Sequence, residues 1–324
     1  MLTNLTATER LKVTGELLEP ILITRVSGTE GNLKVQKFIK STFEKLGWDI
    51  EEDKFKDTTP LGEKPFNNII VTKDIEAKRR LVLAAHFDSK YFAPPNYFVG
   101  ATDSAVPCAM LIDLAFRLNP YFDNRKNKDL TLQIIFFDGE EAFKTWTSTD
   151  SLYGSRHLAE KWDNTYMMTN SNPDNKARTV LDSIEVFVLL DLIGAKQPNF
   201  VNFYQTTSWL FTELTKIEAR LYEEKIFNVT GPEEYLDNSY FDADSIHSYQ
   251  GHIQDDHLPF LNKGVPVLHL ITYPFPSVWH TFADNFSAID EEAVYRLNTV
   301  FRIFTAEYLE IDPSLHAIIT HDEI

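Results

Sequence analysis

The chain has 324 residues, 43% of them hydrophobic and 24% charged, which suits a folded α/β protein with a large buried core and excludes a disordered polymer. Its 48 acidic residues against 31 basic ones leave a net charge of −17, which repels phosphate backbones and anionic lipid surfaces, so nucleic acid and membrane are not expected as partners. No stretch approaches the roughly 20 apolar residues of a membrane span, and the opening MLTNLTATERLKV has neither the basic start nor the apolar run of a signal peptide.

In chain order, residues 1 to about 25 are expected to form a helical extension, ordered at least in part. Apolar residues at three- and four-residue spacing then predict a helix over Gly31–Leu46. Short runs rich in Leu, Ile, Val and Phe predict buried strands at Asn68–Val71 and Leu81–Ala85, with a helix at Ala105–Leu118 before a third strand at Leu130–Phe137. A helix follows at Ser151–Lys161, and the Asn-rich stretch from Asn164 to Arg178 reads as a surface loop. A strand at Ile184–Leu190, a helix at Thr207–Tyr222, a strand at Val265–Ile271 and a helix at Glu291–Glu310 complete the series. No repeat or linker divides the chain, so one domain over 1–324 is expected. The alternation predicts an α/β sandwich: a central mixed, mainly parallel sheet with helices on both faces and ligands at the carboxyl ends of the strands.

Cys108 is the only cysteine, so no intramolecular disulfide can form. That suits a reducing compartment, while the sequons at Asn4, Asn228 and Asn285 are triplets that also arise by chance.

The chemistry gathers at the predicted strand ends. One strand stops at His86-Phe87-Asp88, the next at Asp138-Gly139-Glu140-Glu141, and a third at Asp191. The fourth leads through Tyr273-Pro274-Phe275-Pro276 to Trp279-His280-Thr281, and Asp103 lies in a loop just before a helix. A lone carboxylate there is commonly a helix cap and a lone His a satisfied core residue. Convergence of four strand ends and a loop favours a His/Asp/Glu zinc site with a position left open for substrate. The adjacent Glu140 and Glu141, flanked by Ile134–Phe137 and Ala142-Phe143, are positioned so that one carboxylate can face a metal and the other a substrate. A solvated acidic turn is the plainer alternative, weakened by those apolar flanks.

The blocks HFDSK (His86–Lys90), GATDSAVPCAML (Gly100–Leu111), FFDGEEAF (Phe136–Phe143), DSLYGSRHLA (Asp150–Ala159), LLDLIGA (Leu189–Ala195), IQDDHLPFL (Ile253–Leu261), GVPVLHLI and PFPSVWHT (Gly264–Thr281) closely resemble animal-type glutaminyl cyclases. That family is similar to the dizinc aminopeptidases but holds one catalytic zinc. The resemblance implies Asp103, Glu141 and His280 as zinc ligands, Glu140 as general base and acid, and Asp191 and Asp255 as supporting catalytic carboxylates. It places Gln254, Phe275, Trp279 and Trp146 in the substrate pocket. The implied activity closes N-terminal glutamine, and more slowly glutamate, of peptides and proteins into pyroglutamate; ammonia leaves in the glutamine reaction. A monomer with one zinc per chain is expected.

One departure concerns compartment: secreted members often pair a cysteine at the position of Ala85 with the one in VPC, and here Cys108 stands alone. The family implies the secretory pathway, whereas the lone cysteine also allows a mitochondrial or other intracellular location. Two rivals stand beside this reading. A zinc aminopeptidase would use His86, Asp103, Glu141, Asp191 and His280 for two ions, and Trp279 with the QDDH block speaks against it. An inactive peptide-binding relative would have lost a ligand or the base, and here all are present.

Overall fold

The computed structural model describes residues 9–167, 178–227, 239–247 and 253–312. Six strands form one sheet: β1 Asp49–Thr59, β2 Gly62–Thr72, β3 Arg79–His86, β4 Leu130–Phe137, β5 Ile184–Asp191 and β6 Val267–Ile271, in the spatial order β1-β2-β4-β3-β5-β6. Strands β4, β3, β5 and β6 run parallel; β2 is antiparallel to β4, and β1 to β2. All eight residues of β4 are buried, as a central strand covered on both faces requires.

The helices are α1 Glu30–Leu46, α2 Val106–Leu118, α3 Tyr153–Asp163, α4 Ser208–Glu223, the short α5 Leu258–Leu261, and α6 Glu291–Tyr308. The larger core lies on the α1, α2, α4 and α6 face, where Val35, Ile39 and Phe43 of α1 meet Ile69, Val71 and Phe136 of the sheet. A smaller core on the other face gathers Leu158 and Trp162 of α3 and Phe260 of α5 against Phe137 and Phe187. Thr29 caps α1 by accepting from the Asn32 N–H, and Gly47 ends it at φ 69°, a left-handed conformation that a glycine adopts without steric cost. Asp290 caps α6 through the Ala293 N–H at 2.9 Å.

The predicted strands and helices all form, with ends shifted by at most two residues except in β2, which begins six residues before the expected start at Asn68. Two features differ. Strand β1 was not expected: its sequence DIEEDKFKDTT alternates partly buried and charged positions and carries few apolar residues, as an edge strand protected by charge does. The N-terminal segment forms no α-helix where described. It makes a 3₁₀ turn at Glu9–Leu11 and then successive turns, with Gly15 and Pro20 interrupting any helix while Leu17, Leu18 and Ile21 join the larger core. Residues 1–8, the sequons at Asn4 and Asn228, and residues 168–177 of the expected surface loop lie outside the described residues.

Because the four parallel strands point the same way, His86 and Asp191, their last residues in β3 and β5, and Asp138, the residue after β4, arrive at one edge of the sheet. Ligand sites of open α/β sheets lie at that edge.

Candidate active site

Gly139 turns the chain after β4 at φ 79°; a Cβ there would lie 2.5 Å from a Phe66 ring carbon, so only glycine fits. The turn presents Glu140 and Glu141, whose N–H groups donate to the two oxygens of Asp88 at 3.1 and 3.2 Å. The Asp138 carboxylate beside them accepts from Ser27 Oγ, Asn32 Nδ2 and the Asn67 N–H at 2.6 to 2.9 Å, tying α1 and β2 to the turn. Asp88 was visible only as the second half of His-x-Asp, and its role as the anchor of the acidic pair could not be read from spacing.

Asp103, Glu141 and His280 come together although they lie far apart in sequence. His280 Nε2 is 3.4 Å from Asp103 Oδ2 and 3.2 Å from Glu141 Oε1. Those two oxygens are buried and lack a hydrogen-bond partner, an arrangement costly for a protein alone and suited to a cation held between them. The donor set of one imidazole nitrogen and two carboxylate oxygens fits zinc. His280 adopts φ 53°, a left-handed conformation that costs on the order of 1 kcal/mol outside glycine and is tolerated where function fixes it. Burial lowers the proton affinity of His280, but the Asp103 and Glu141 carboxylates overcome it and raise the pKa to about 9. Lys90 Nζ meets the other Glu141 oxygen at 3.0 Å.

A second group forms deeper in. His86 Nε2 lies 3.0 Å from Asp103 Oδ1 and 3.5 Å from Asp191 Oδ1, so these three could also approach a cation. Asp191 Oδ1 already accepts the Ser104 hydroxyl and the Leu192 N–H. Ser104 was not singled out in the sequence.

A cavity of about 290 Å³ opens over this centre, with Asp103, Glu140, Asp191 and His280 at its polar end. Trp146, Gln254, Phe275 and Trp279 form the rest of its wall with Leu192, Ile253 and Ile271. The Trp279 ring stacks on His280 at 4.1 Å and meets Phe275 edge-on at 4.8 Å. Trp146 Nε1 donates to Gln254 Oε1 at 2.8 Å, joining two wall residues 108 positions apart.

Glu140 is buried, and desolvation raises its pKa well above the usual carboxylate range; Glu141, Asp255 and Asp256 add to this against the attraction of His86. Asp255 does not line the cavity. It is buried behind the wall, with Oδ2 at 2.8 Å from His269 Nε2 and Oδ1 accepting the Asp256 N–H. Burial, then the Asp191 charge, lifts its pKa well above the ordinary value, while burial depresses His269 to about 3. His269 was hidden in a run that reads as plain core strand. Cys108 is fully buried, its thiol on the His86 carbonyl at 3.1 Å, and burial pushes it up to about 12, so it is no nucleophile.

Residues 68–305 match the model of Peptidase family M28. The chain is 46% identical over 313 residues to the glutaminyl-peptide cyclotransferase of Dictyostelium discoideum, covering 90% of this chain and 83% of that one. It is 45% identical over 303 residues to the Bos taurus glutaminyl-peptide cyclotransferase, covering 91% and 81%. The crystal structure of Macrostomum lignano glutaminyl cyclase superposes with a TM-score of 0.84 at 37% identity, over 96% of this chain and 92% of that one. A Zn-dependent exopeptidase from Parabacteroides distasonis, 21% identical, shares the fold with a TM-score of 0.66 over 89% and 94% of the two chains. Identity of this order along nearly the whole length, on a fold that zinc exopeptidases share, means that the chain belongs to peptidase family M28 and, within it, to the glutaminyl-peptide cyclotransferases.

Proposed function

We propose that this chain is a zinc-dependent glutaminyl-peptide cyclotransferase, an aminoacyltransferase that converts N-terminal glutamine of peptides and proteins, and more slowly glutamate, into pyroglutamate; ammonia leaves in the glutamine reaction. The observation that carries the reading is the pair of buried oxygens without partners, Asp103 Oδ2 and Glu141 Oε1, facing His280 Nε2 at the floor of a cavity that also holds Glu140. A zinc ion on these three residues would supply Lewis-acid polarisation of the substrate's γ-carbonyl.

The chain's own residues manage conformation and protons. In the reaction the α-amine nitrogen bonds to the carbonyl carbon of the side-chain amide (Cδ), the bond from that carbon to the amide nitrogen breaks, and one proton passes from the amine to the departing nitrogen. Glu140 is the carrier: it lines the cavity, and its burial gives it a proton affinity above that of an exposed carboxylate, as transfer in both directions near neutrality needs. Asp191, held by Ser104 and the Leu192 N–H, offers an acceptor that orients the amine. Asp255, buried behind the wall and bonded to His269 Nε2 at 2.8 Å, supports Glu140 and Asp191 from behind. Trp279 and Phe275 hold the folded glutamine side chain in its reactive conformer and exclude water, while Gln254 and Trp146 close the wall.

The grouping of His86, Asp103 and Asp191 also favours a second reading, a two-ion aminopeptidase. One ion per monomer is our reading, because the amine of the substrate is itself the nucleophile and no metal-activated water is needed. Incubation with a Gln-peptide and an Ala-peptide, with chelator and zinc add-back, separates the two. Ammonia and a blocked N-terminus support the cyclase; release of free amino acid supports the peptidase. Metal analysis after equilibration with modest zinc should give a ratio near one that His86→Ala largely keeps; a ratio near two would favour the peptidase.

A further inference from the structure

Arg25 is fully buried, in the segment leading into α1, and its guanidinium is directed at main-chain carbonyls. Nε donates to Phe87 O at 2.6 Å. Nη1 donates to Val99 O and, at 3.3 Å, to Ile21 O and Ile23 O. Nη2 donates to Gly100 O at 3.0 Å and Asp103 O at 3.4 Å. One side chain thus joins three segments: the N-terminal turns, the residue following His86, and the loop that carries Asp103. Its own backbone is fixed in turn, the N–H on Ser89 Oγ at 2.9 Å and the carbonyl accepting from Asn32 Nδ2 at 3.2 Å.

The loop needs such a partner. Gly100 takes φ 48°, and a Cβ there would lie 2.1 Å from Asp103 O, so the turn from Gly100 to Asp103 is wound as tightly as glycine permits. The carbonyls of Val99, Gly100 and Asp103 then converge on one buried spot, where unsatisfied oxygens would repel each other and cost free energy. A planar fork of five N–H donors with a permanent positive charge satisfies them together; the single ammonium of lysine cannot span them.

We infer that Arg25 is a positioning residue for the metal centre: by holding these carbonyls together it aims the Asp103 carboxylate at Glu141 and His280 and so sets the affinity for zinc. The inference rests on the proposed zinc site. Residues that orient a ligand from behind typically change metal affinity by about 10- to 100-fold when replaced.

The test is the zinc dissociation constant, measured by competition with a chromophoric chelator well below the melting temperature, in wild type, Arg25→Lys and Arg302→Lys. Arg302 is an equally buried arginine on α6 that donates to Asn298 O and lies near Asp113, so its substitution perturbs the fold without touching the Asp103 loop. Arg25→Lys should weaken zinc binding by at least about tenfold and regain most of its kcat at saturating zinc, with Arg302→Lys binding as wild type. If Arg25→Lys does not fold, Ser89→Ala, which frees only the Arg25 N–H, should show a smaller shift in the same direction. Wild type that binds zinc while the Arg25 or Ser89 variant binds equally well overturns the inference alone, as does equal weakening in Arg302→Lys. Wild type that takes up no zinc overturns the metal reading and the inference with it.

Discussion

Glu140→Gln separates proton transfer from every other property of the site. Glutamine has nearly the same volume, and residue 140 is held through its main chain, with the N–H on Asp88 Oδ1 at 3.1 Å and the carbonyl accepting the Leu152 N–H at 2.9 Å. The substitution leaves Asp103 Oδ2, Glu141 Oε1 and His280 Nε2 untouched, so zinc should stay. Catalysis and stability should then move in opposite directions. Loss of a positioned acid–base group costs about 10²- to 10⁴-fold in rate, or about 3 to 5 kcal/mol of barrier. Stability should be unchanged or raised, because burial and the charges of Glu141, Asp255 and Asp256 oppose a carboxylate at this position while a neutral amide carries no charge to desolvate. Ammonia release from a Gln-peptide in a coupled assay, zinc content after dialysis, and the urea midpoint measure the three effects on one preparation. Activity within about tenfold of wild type with zinc retained would remove Glu140 from proton transfer. Loss of zinc would instead make it a ligand.

Glu141→Gln should do the reverse, lowering zinc retention by at least about tenfold in a chelator competition, since it removes a charged ligand and leaves Lys90 Nζ without the carboxylate 3.0 Å away. Gly139→Ala should destabilise by about 2 to 4 kcal/mol in urea unfolding, the sum of a left-handed alanine and overlap with Phe66, whose ring is stacked between Phe55 and Tyr153 and has no room to yield. His269, depressed by burial from 6.5 to about 3, leaves the unfolded chain binding more protons throughout that interval. Its contribution is therefore fully present above about pH 6.5 and is lost on acidification at up to about 1.4 kcal/mol per pH unit. Asp255, with a raised pKa, contributes the opposite slope, and because its Oδ2 lies 2.8 Å from His269 Nε2 the difference between wild type and His269→Gln reads the pair; equal slopes between about pH 4 and 6 would refute the assignment.

What the sequence disclosed followed from where hydrophobic burial forces regularity. Strands β3, β4, β5 and β6 are buried on both faces and read as apolar runs, so the polar residues that terminate them, His86, Asp138 and Asp191, stand out by contrast. The same contrast located Glu140, Glu141 and His280. Strand β1 gave no such signal, because at a sheet edge solvent accepts Glu51, Lys54 and Lys56 and the strand is stabilised by its register with β2. Arg25 was equally silent: an arginine in a loop reads as solvated, and only the convergence of carbonyls from three segments explains its burial. Ser104 and His269 act on residues brought near by the fold, Asp191 and Asp255, at sequence separations where no periodicity applies. Asp255 itself was marked by the family blocks, and its place behind the cavity wall required the folded chain.

Asp191 is where the two chemistries of this fold part. In a two-ion site it would give a lone pair to a metal shared with His86 and Asp103, and the geometry for that is within reach, since His86 Nε2 is 3.5 Å from Asp191 Oδ1. Here that same oxygen receives the Ser104 hydroxyl from the residue directly after Asp103, along with the Leu192 N–H. Two donors on one carboxylate oxygen favour hydrogen bonding there over ligation, and Asp191 also lines the cavity. A two-ion aminopeptidase would use both cations to prepare water as nucleophile, whereas intramolecular cyclisation needs an acceptor that holds an amine in line with a carbonyl. On the proposed reading, the hydroxyl at position 104 would turn a residue of metal-ligand type into one that orients substrate, with His86 and Asp103 keeping their places.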